Sequence, residues 1–205
     1  MRNIVEKHKS HWADRSFLFS SLAGSAFLIA SLILNYIAGN YATLRAGNSV
    51  SDIILDNIPT VNVDVIFIEG AILLWIFVGI LALKEPKRIP FLLKSVSLFI
   101  VIRSIFISLT HIGPFPDQIL IEPNMILKKL TFGADLFFSG HTGFPFLMAL
   151  AFWNNKHLRL IFLASSLIFG VSVLLGHLHY SIDVFAAFFI TYGIFEMAKN
   201  FFKKD

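Results

Sequence analysis

Six long apolar stretches constrain this chain more than any other feature: Phe17 to Ala38, Val65 to Leu83, Ile89 to Ile112, Leu136 to Trp153, Leu158 to Gly176 and Tyr180 to Ala198. A helix rises about 1.5 Å per residue, so roughly 20 mostly apolar residues cross about 30 Å of hydrocarbon. The expected architecture is an all-α integral membrane protein, a six-helix transmembrane bundle forming a single membrane domain over residues 1–205. Composition points the same way: 56% of residues are hydrophobic and 15% charged, against about 45–50% and about 25% in soluble domains. The first stretch is longer than the apolar core of a cleaved signal peptide and runs on without an obvious cleavage site, so it is read as a retained helix. The fourth is interrupted by Gly140, Gly143 and Pro145. A break there would leave carbonyls unpaired against lipid, which places it inside the bundle or beside a polar cavity.

Alternating the loops across six spans gathers Arg2, Lys7, Lys9, Arg15, Lys84, Lys87, Arg88, Lys156, Arg159, Lys199, Lys203 and Lys204 on one side, and Arg45, Lys128 and Lys129 on the other. The positive-inside bias then puts both termini in the cytoplasm. Asp52, Asp56, Asp64, Asp117, Glu122, Asp135, His177 and His179 fall on or near the outer side. The 17 Lys and Arg residues, net charge +4, are scattered between apolar runs rather than gathered on one surface, so no nucleic-acid partner is expected. There is no cysteine, which excludes disulfides, a thiolate nucleophile and Cys-ligated metal.

Two outer segments are unusually polar for their surroundings: D-L-F-F-S-G-H-T from Asp135 to Thr142, and H-L-H-Y-S-I-D from His177 to Asp183. Ionisable groups at membrane depth are expensive and mark a functional site by default. His179 and Asp183 are four apart, on one helical face. An imidazole whose N–H is held by a carboxylate exposes its other nitrogen as nucleophile or base. Ser139 and Gly140 suit a capped helix start whose free N–H groups favour an anion, with His141 immediately after. One His attacking phosphorus while a second protonates the departing alkoxide is a workable phosphoryl-transfer site without metal or other cofactor. Arg103, about two turns below the outer end of its span, needs an anionic partner, with the substrate phosphate favoured over a carboxylate. Asp135 is read as bracing the His141 segment, and Lys94 as an anchor snorkelling towards the cytoplasm. Glu69 either pairs with Arg103 or reaches the interface. Asp52 and Asp56 could attract a cationic head group, though a solvated acidic loop is the commoner outcome.

S-G-H-T at Ser139 to Thr142 and H-Y-S-x-D-V at His179 to Val184 resemble the two signature segments of sphingomyelin synthases, the lipid phosphotransferase branch of the type 2 phosphatidic acid phosphatase superfamily. Asp135 stands six residues before His141, as in that branch's G-D-x-x-x-S-G-H-T. Arg103 with Thr110 and Pro114 resembles its third-helix motif, and Asp52-x-x-x-Asp56 echoes its first outer loop. The resemblance covers about residues 50–198. It implies that His179 is the nucleophile, Asp183 its orienter and His141 the general acid and base, with Arg103, Asp135, Ser139, Gly140 and Thr142 around the substrate. There are departures. The S-R pair of the superfamily's phosphatases is Ser172-Val173 here, their K-x-x-x-x-x-x-R-P signature is absent, the G-D is Ala134-Asp135, and the prolines before Asp52 are missing.

The expected activity is transfer of a phosphocholine or phosphoethanolamine type head group from a membrane phospholipid to a lipid alcohol through phosphohistidine. Phe137, Phe138, Phe144 and Phe185 either wall the pocket against water or pack against lipid, the two readings weighing equally on sequence alone. The alternative is a phosphatase acting on phosphatidate or a polyprenyl phosphate with water as acceptor. Two rivals are a small membrane transporter using Arg103, Glu69 and the histidines, and a metal-binding protein using His141, His177 and His179. The site is expected on the extracytoplasmic face, and so short a chain without cytoplasmic domains suits a bacterial plasma membrane.

Overall fold

The computed structural model describes residues 4–119 and 135–202. Lys128, Lys129 and Glu122, expected on the outer side, and Arg2, Lys203 and Lys204 on the other, lie outside the described residues. Seven α-helices organise the described chain: α1 (Ile4–Trp12), α2 (Arg15–Arg45), α3 (Ala71–Lys84), α4 (Ile89–Leu109), α5 (Gly140–Ala151), α6 (Lys156–Leu175) and α7 (Ser181–Phe202). A π-helical turn, Ile66–Gly70, leads into α3, and a 3-10 turn, Pro86–Arg88, leads into α4. Five of these elements, α2, α3 with its π turn, α4 with its 3-10 turn, α6 and α7, are long and apolar enough to cross a membrane. Their outward faces carry large apolar side chains such as Phe19, Leu73, Leu167 and Phe189. The protein is an all-α membrane bundle.

The fourth apolar stretch differs from expectation. Only Gly140–Ala151 is helical, with Pro145 inside it. Twelve residues rise about 18 Å, so the segment from Asp135 to Ser139 completes the descent as irregular backbone. That backbone is tolerated because it is buried against protein: Leu136, Phe138 and Ser139 are buried. The α1 helix, outside the expected spans, has no buried residue. It is tied to the bundle where a His8 ring nitrogen bonds the Leu83 carbonyl at the end of α3.

Local chemistry sets the helix starts. Asp14 caps α2, Ser139 caps α5 and Asn155 caps α6, each accepting a bond from a backbone N–H in the first turn. Small residues set the packing. The buried face of α2 is Ser21, Gly24, Ser31, Ala38, Gly39 and Ala42, a stripe that lets α2 lie close along α4. A Cβ on Gly24 would stand 3.0 Å from the Leu93 Cβ. Lys94 donates to the Ser20 hydroxyl near the start of α2, and Ile107 meets Ala38 and Ala42 near its end, so α2 and α4 run parallel. In the other half, α5 packs between α6 and α7, and a side chain on Gly143 would meet Phe99 and Thr191 at 2.8 Å. The main core is aromatic and aliphatic, built on Phe99, Phe138, Phe144, Leu147, Met148, Phe152 and Phe162. The long helices alternate in direction. One end of the bundle therefore collects residues 46–64, 110–119, 135–141 and 176–183, and the opposite end carries Lys84, Lys87, Arg88, Lys156, Arg159 and Lys199.

Candidate active site

At the first of these ends the α6–α7 connection forms a rigid corner. Helix α6 closes with Leu178 N–H bonded to the Val173 carbonyl and His177 N–H to the Leu174 carbonyl, the pattern that normally places a glycine in the left-handed position. Here His177 occupies it, with φ 53°, at a cost of about 1–2 kcal/mol for a non-glycine residue. The neighbouring Gly176 is used for closeness instead, since a Cβ there would lie 2.7 Å from Val63 Cγ2. His177 is buried, its Nδ1 is 3.2 Å from the Thr60 hydroxyl, and its Nε2 has no partner.

The corner delivers His179 and Asp183. His179 Nδ1 lies 3.4 Å from Asp183 Oδ2 and has no formed hydrogen bond, a separation common for a catalytic pair without substrate. The same carboxylate oxygen accepts the Tyr180 N–H at 2.9 Å, the backward reach of an acidic residue in the first helical turn. Asp183 thus caps its own helix and faces the imidazole at once. With Nδ1 turned to the carboxylate, Nε2 is the nitrogen left for chemistry.

The second histidine arrives on the first turn of α5. Ser139 Oγ accepts from Thr142 N–H and from the Thr142 hydroxyl, and Ser139 N–H donates to the Asp183 carbonyl, which joins the two polar segments directly. His141 follows, stacked on Phe67 with ring centroids 3.9 Å apart and tilted against Phe169 at 5.9 Å. The backbone of Phe67 also bonds the imidazole. That carbonyl belongs to the π-helical turn, a feature that frees backbone acceptors and recurs at functional sites.

Arg103, buried at 9% exposure, supports the segment before α5: Nε donates to the Phe138 carbonyl at 2.9 Å, and Nη2 donates to the Asp135 carbonyl and to Asp135 Oδ2 at 2.6 and 3.0 Å. Gly140 leaves room for it, since a Cβ would sit 3.3 Å from Arg103 Nε. His141, His179, Arg103, Asp135 and Gly140 line one cavity of about 390 Å³, whose other walls include Phe67, Trp75, Phe99, Phe144 and Phe169. Leu32, Ile72 and Trp75 line it and are themselves exposed on the apolar flank. The cavity therefore opens sideways between α2 and α3.

Several expected neighbours of the substrate lie elsewhere. Ser139 and Thr142 are fully buried in the α5 cap and do not line the cavity. Of the four phenylalanines read as walls or as lipid packing, Phe144 lines the cavity. Phe138 is buried in the core and Phe137 packs on Phe106, while Phe185 is exposed on the flank. Glu69 is exposed and Arg103 pairs with Asp135 instead. Lys94, read as an anchor and not as a substrate neighbour, reaches Ser20 near the start of α2 and the Phe202 ring at the end of α7. Among the described residues no group of three His, Asp or Glu side chains could hold a metal ion.

Sequence reasoning missed Phe67, Tyr180 and Thr60. Of these only Tyr180 carried a signal, since it stands before a helix without a side-chain oxygen placed to cap it. Of Asp52 and Asp56, Asp56 is exposed as a solvated acidic loop would have it, whereas Asp52 is buried by bonds within the protein. Asp52 is 8% exposed and its oxygens accept from Ser181, Ile54 and Leu55 N–H, while Asp56 accepts from Asp52 N–H. Burial works to raise the Asp52 pKa, but the hydrogen bonds from Ser181, Ile54 and Leu55 outweigh it and hold the carboxyl below its ordinary value.

The stretch from α5 through α7 carries a similarity to a known family. Residues 133–201 match the family described as PAP2 superfamily C-terminal. The match contains His141, His179 and Asp183 and supports the type 2 phosphatidic acid phosphatase superfamily, without selecting the sphingomyelin synthase-like branch. PAP2 similarity supports an integral membrane enzyme with lipid-phosphate chemistry of the phosphatase or phosphotransferase kind. No curated protein and no solved structure matches the chain.

Proposed function

We propose that the protein is a lipid phosphotransferase that moves a phosphocholine or phosphoethanolamine type head group from a phospholipid to a lipid alcohol. The observation that carries this reading is the single cavity in which two histidines and an arginine stand at the polar end of an apolar chamber open to the side. A lipid entering between α2 and α3 would leave its acyl chains against Phe67, Trp75 and Phe144 and present its phosphate to the histidines. His179 Nε2 attacks phosphorus, the bond from phosphorus to the glycerol oxygen breaks, and His141 gives that oxygen its proton. In the second half His141 takes the proton of the acceptor hydroxyl, whose oxygen attacks the phosphohistidine and restores His179. Asp183 holds the His179 ring and compensates the positive charge it develops. Gly140 and Arg103 border the space for the phosphate oxygens, and Asp135 sets the angle of the guanidinium. The apolar walls keep water from competing with the acceptor.

Hydrolysis uses the same residues with water as acceptor, and the PAP2 match accommodates it equally. Incubating the purified protein with labelled phosphatidylcholine, phosphatidylethanolamine or phosphatidate, each with a lipid alcohol, separates the two. Diacylglycerol together with a head-group-bearing second lipid supports transfer. Free phosphate from a phosphomonoester lipid, with no transfer, replaces it with the phosphatase reading.

The site is proposed to face away from the cytoplasm, because Lys84, Lys87, Arg88, Lys156, Arg159 and Lys199 cluster at the opposite end. A cysteine at Asn48 should then react with a membrane-impermeant thiol reagent in intact cells, and one at Asn154 should not.

A further inference from the structure

The helix that carries Asp183 is preceded by a residue whose side chain does not cap it. Tyr180 precedes α7 and turns its hydroxyl away, donating to the Gly113 carbonyl and accepting from Val50 N–H. The first amides of a helix need acceptors from somewhere. Asp183 supplies one for Tyr180 N–H. The Ser181 N–H is answered from another part of the chain: Asp52 Oδ2 accepts it at 2.7 Å, across 129 residues of sequence. The Ser181 side chain bonds the same carboxylate. Asp52 is in turn locked by its own loop, with Oδ1 accepting from Ile54 and Leu55 N–H and its N–H held by Asp56.

We infer that Asp52 is a positioning residue: it caps α7 from the first outer loop and so sets where Asp183, and through it His179, stands in the cavity. This rests on the reading of His179 and Asp183 as the reacting pair. The chemistry explains why a carboxylate is used. One Asp52 oxygen takes the Ser181 amide while the other takes two amides of its own loop, and a carboxylate presents acceptors on both oxygens. The Asp183 oxygen that faces His179 at 3.4 Å also accepts Tyr180 N–H, so the position of the α7 first turn sets how closely the pair can approach. Asp52 does not line the cavity, so it is not a head-group contact.

The test uses the full chain, reconstituted, with labelled phosphatidylcholine as donor. Asp52→Ala should lower kcat about tenfold with KM unchanged, the scale expected when a reacting group is displaced by a fraction of an ångström. Asp52→Asn, which keeps one acceptor oxygen but turns an NH2 group towards the other donors, should recover only part of that loss. Ser181→Pro removes the donor while suiting the first position of a helix, and should lower kcat by a similar factor. The double variant Asp52→Ala with Ser181→Pro should be no slower than either alone, because both delete one interaction. Hydrogen exchange of the peptide spanning 179–184 should speed up in each single variant. A raised KM at unchanged kcat, additive losses in the double variant, or faster exchange with unaltered turnover would each overturn the inference. If His179→Ala retains wild-type turnover, the functional reading falls instead, and the exchange measurement still judges the cap.

Discussion

His179 sits in a connection whose backbone and neighbours are tied by hydrogen bonds to two distant segments, through Asp52 and Thr60 in one and Gly113 in the other. His141 sits on the first turn of a helix and is held by a stacked ring and one backbone contact, while Arg103 braces the segment before that helix. The difference follows from where each lies. The α6–α7 corner is at the polar end, where loops with spare amides and carbonyls are available. The His141 ring projects into an apolar chamber, where aromatic contact is the support the walls can offer. Hydrogen bonds fix direction and stacking fixes a plane while leaving the ring free to slide. That division suits a nucleophile that must aim along one line and an acid–base group that must serve two oxygens in turn.

The comparison breaks first if either histidine proves dispensable. His179→Ala should abolish turnover, and His141→Ala and Asp183→Asn should each lower it about 100-fold or more, measured as diacylglycerol release, with expression and melting temperature little changed.

Arg103 should behave as structure on the His141 side. Arg103→Ala leaves the Asp135 carboxylate and the Phe138 carbonyl without their donor and should cost about 1–3 kcal/mol of stability, seen as a lower melting temperature in detergent. Adding Asp135→Ala should return part of it, because the abandoned carboxylate is then gone. A loss of turnover with an unchanged melting temperature would assign the guanidinium to substrate phosphate alone.

A smaller effect is expected at the stack. Phe67→Leu keeps apolar volume and the backbone contact but removes the ring face, worth about 0.5–1.5 kcal/mol, so kcat should fall several-fold. Equal effects of this change and of Asp52→Ala on the exchange of the α6–α7 corner would erase the distinction between the two sides.

The smallest signal is in pH. Asp52 has its carboxyl held below the ordinary value in the folded state, so its contribution to stability is present above that ordinary value and is lost as pH falls through the folded one. Melting temperature should therefore drop more steeply in acid for the wild type than for Asp52→Asn, and the two curves should run parallel near neutrality.

The sequence by itself determined the membrane bundle and the start of α5, because both depend on short-range spacing. Apolar runs of spanning length specify helices, and Ser139 before Gly140 specifies a cap. The shared helical face expected for His179 and Asp183 does not form: α7 begins at Ser181, and the corner before it, not helical spacing, brings the two side chains to 3.4 Å. Only the tertiary structure decided the partners. Arg103 meets Asp135 across 32 residues and Ser181 meets Asp52 across 129, while a π turn that no periodicity announces brings Phe67 onto His141. Periodicity says which face of a helix is buried but not what that face touches. A carboxylate in a loop reads the same whether it ends in water or on the first amide of a helix elsewhere in the fold. Ser139 and Thr142 show the same limit: the motif put them beside His141, and packing turned them inward to each other rather than towards the cavity.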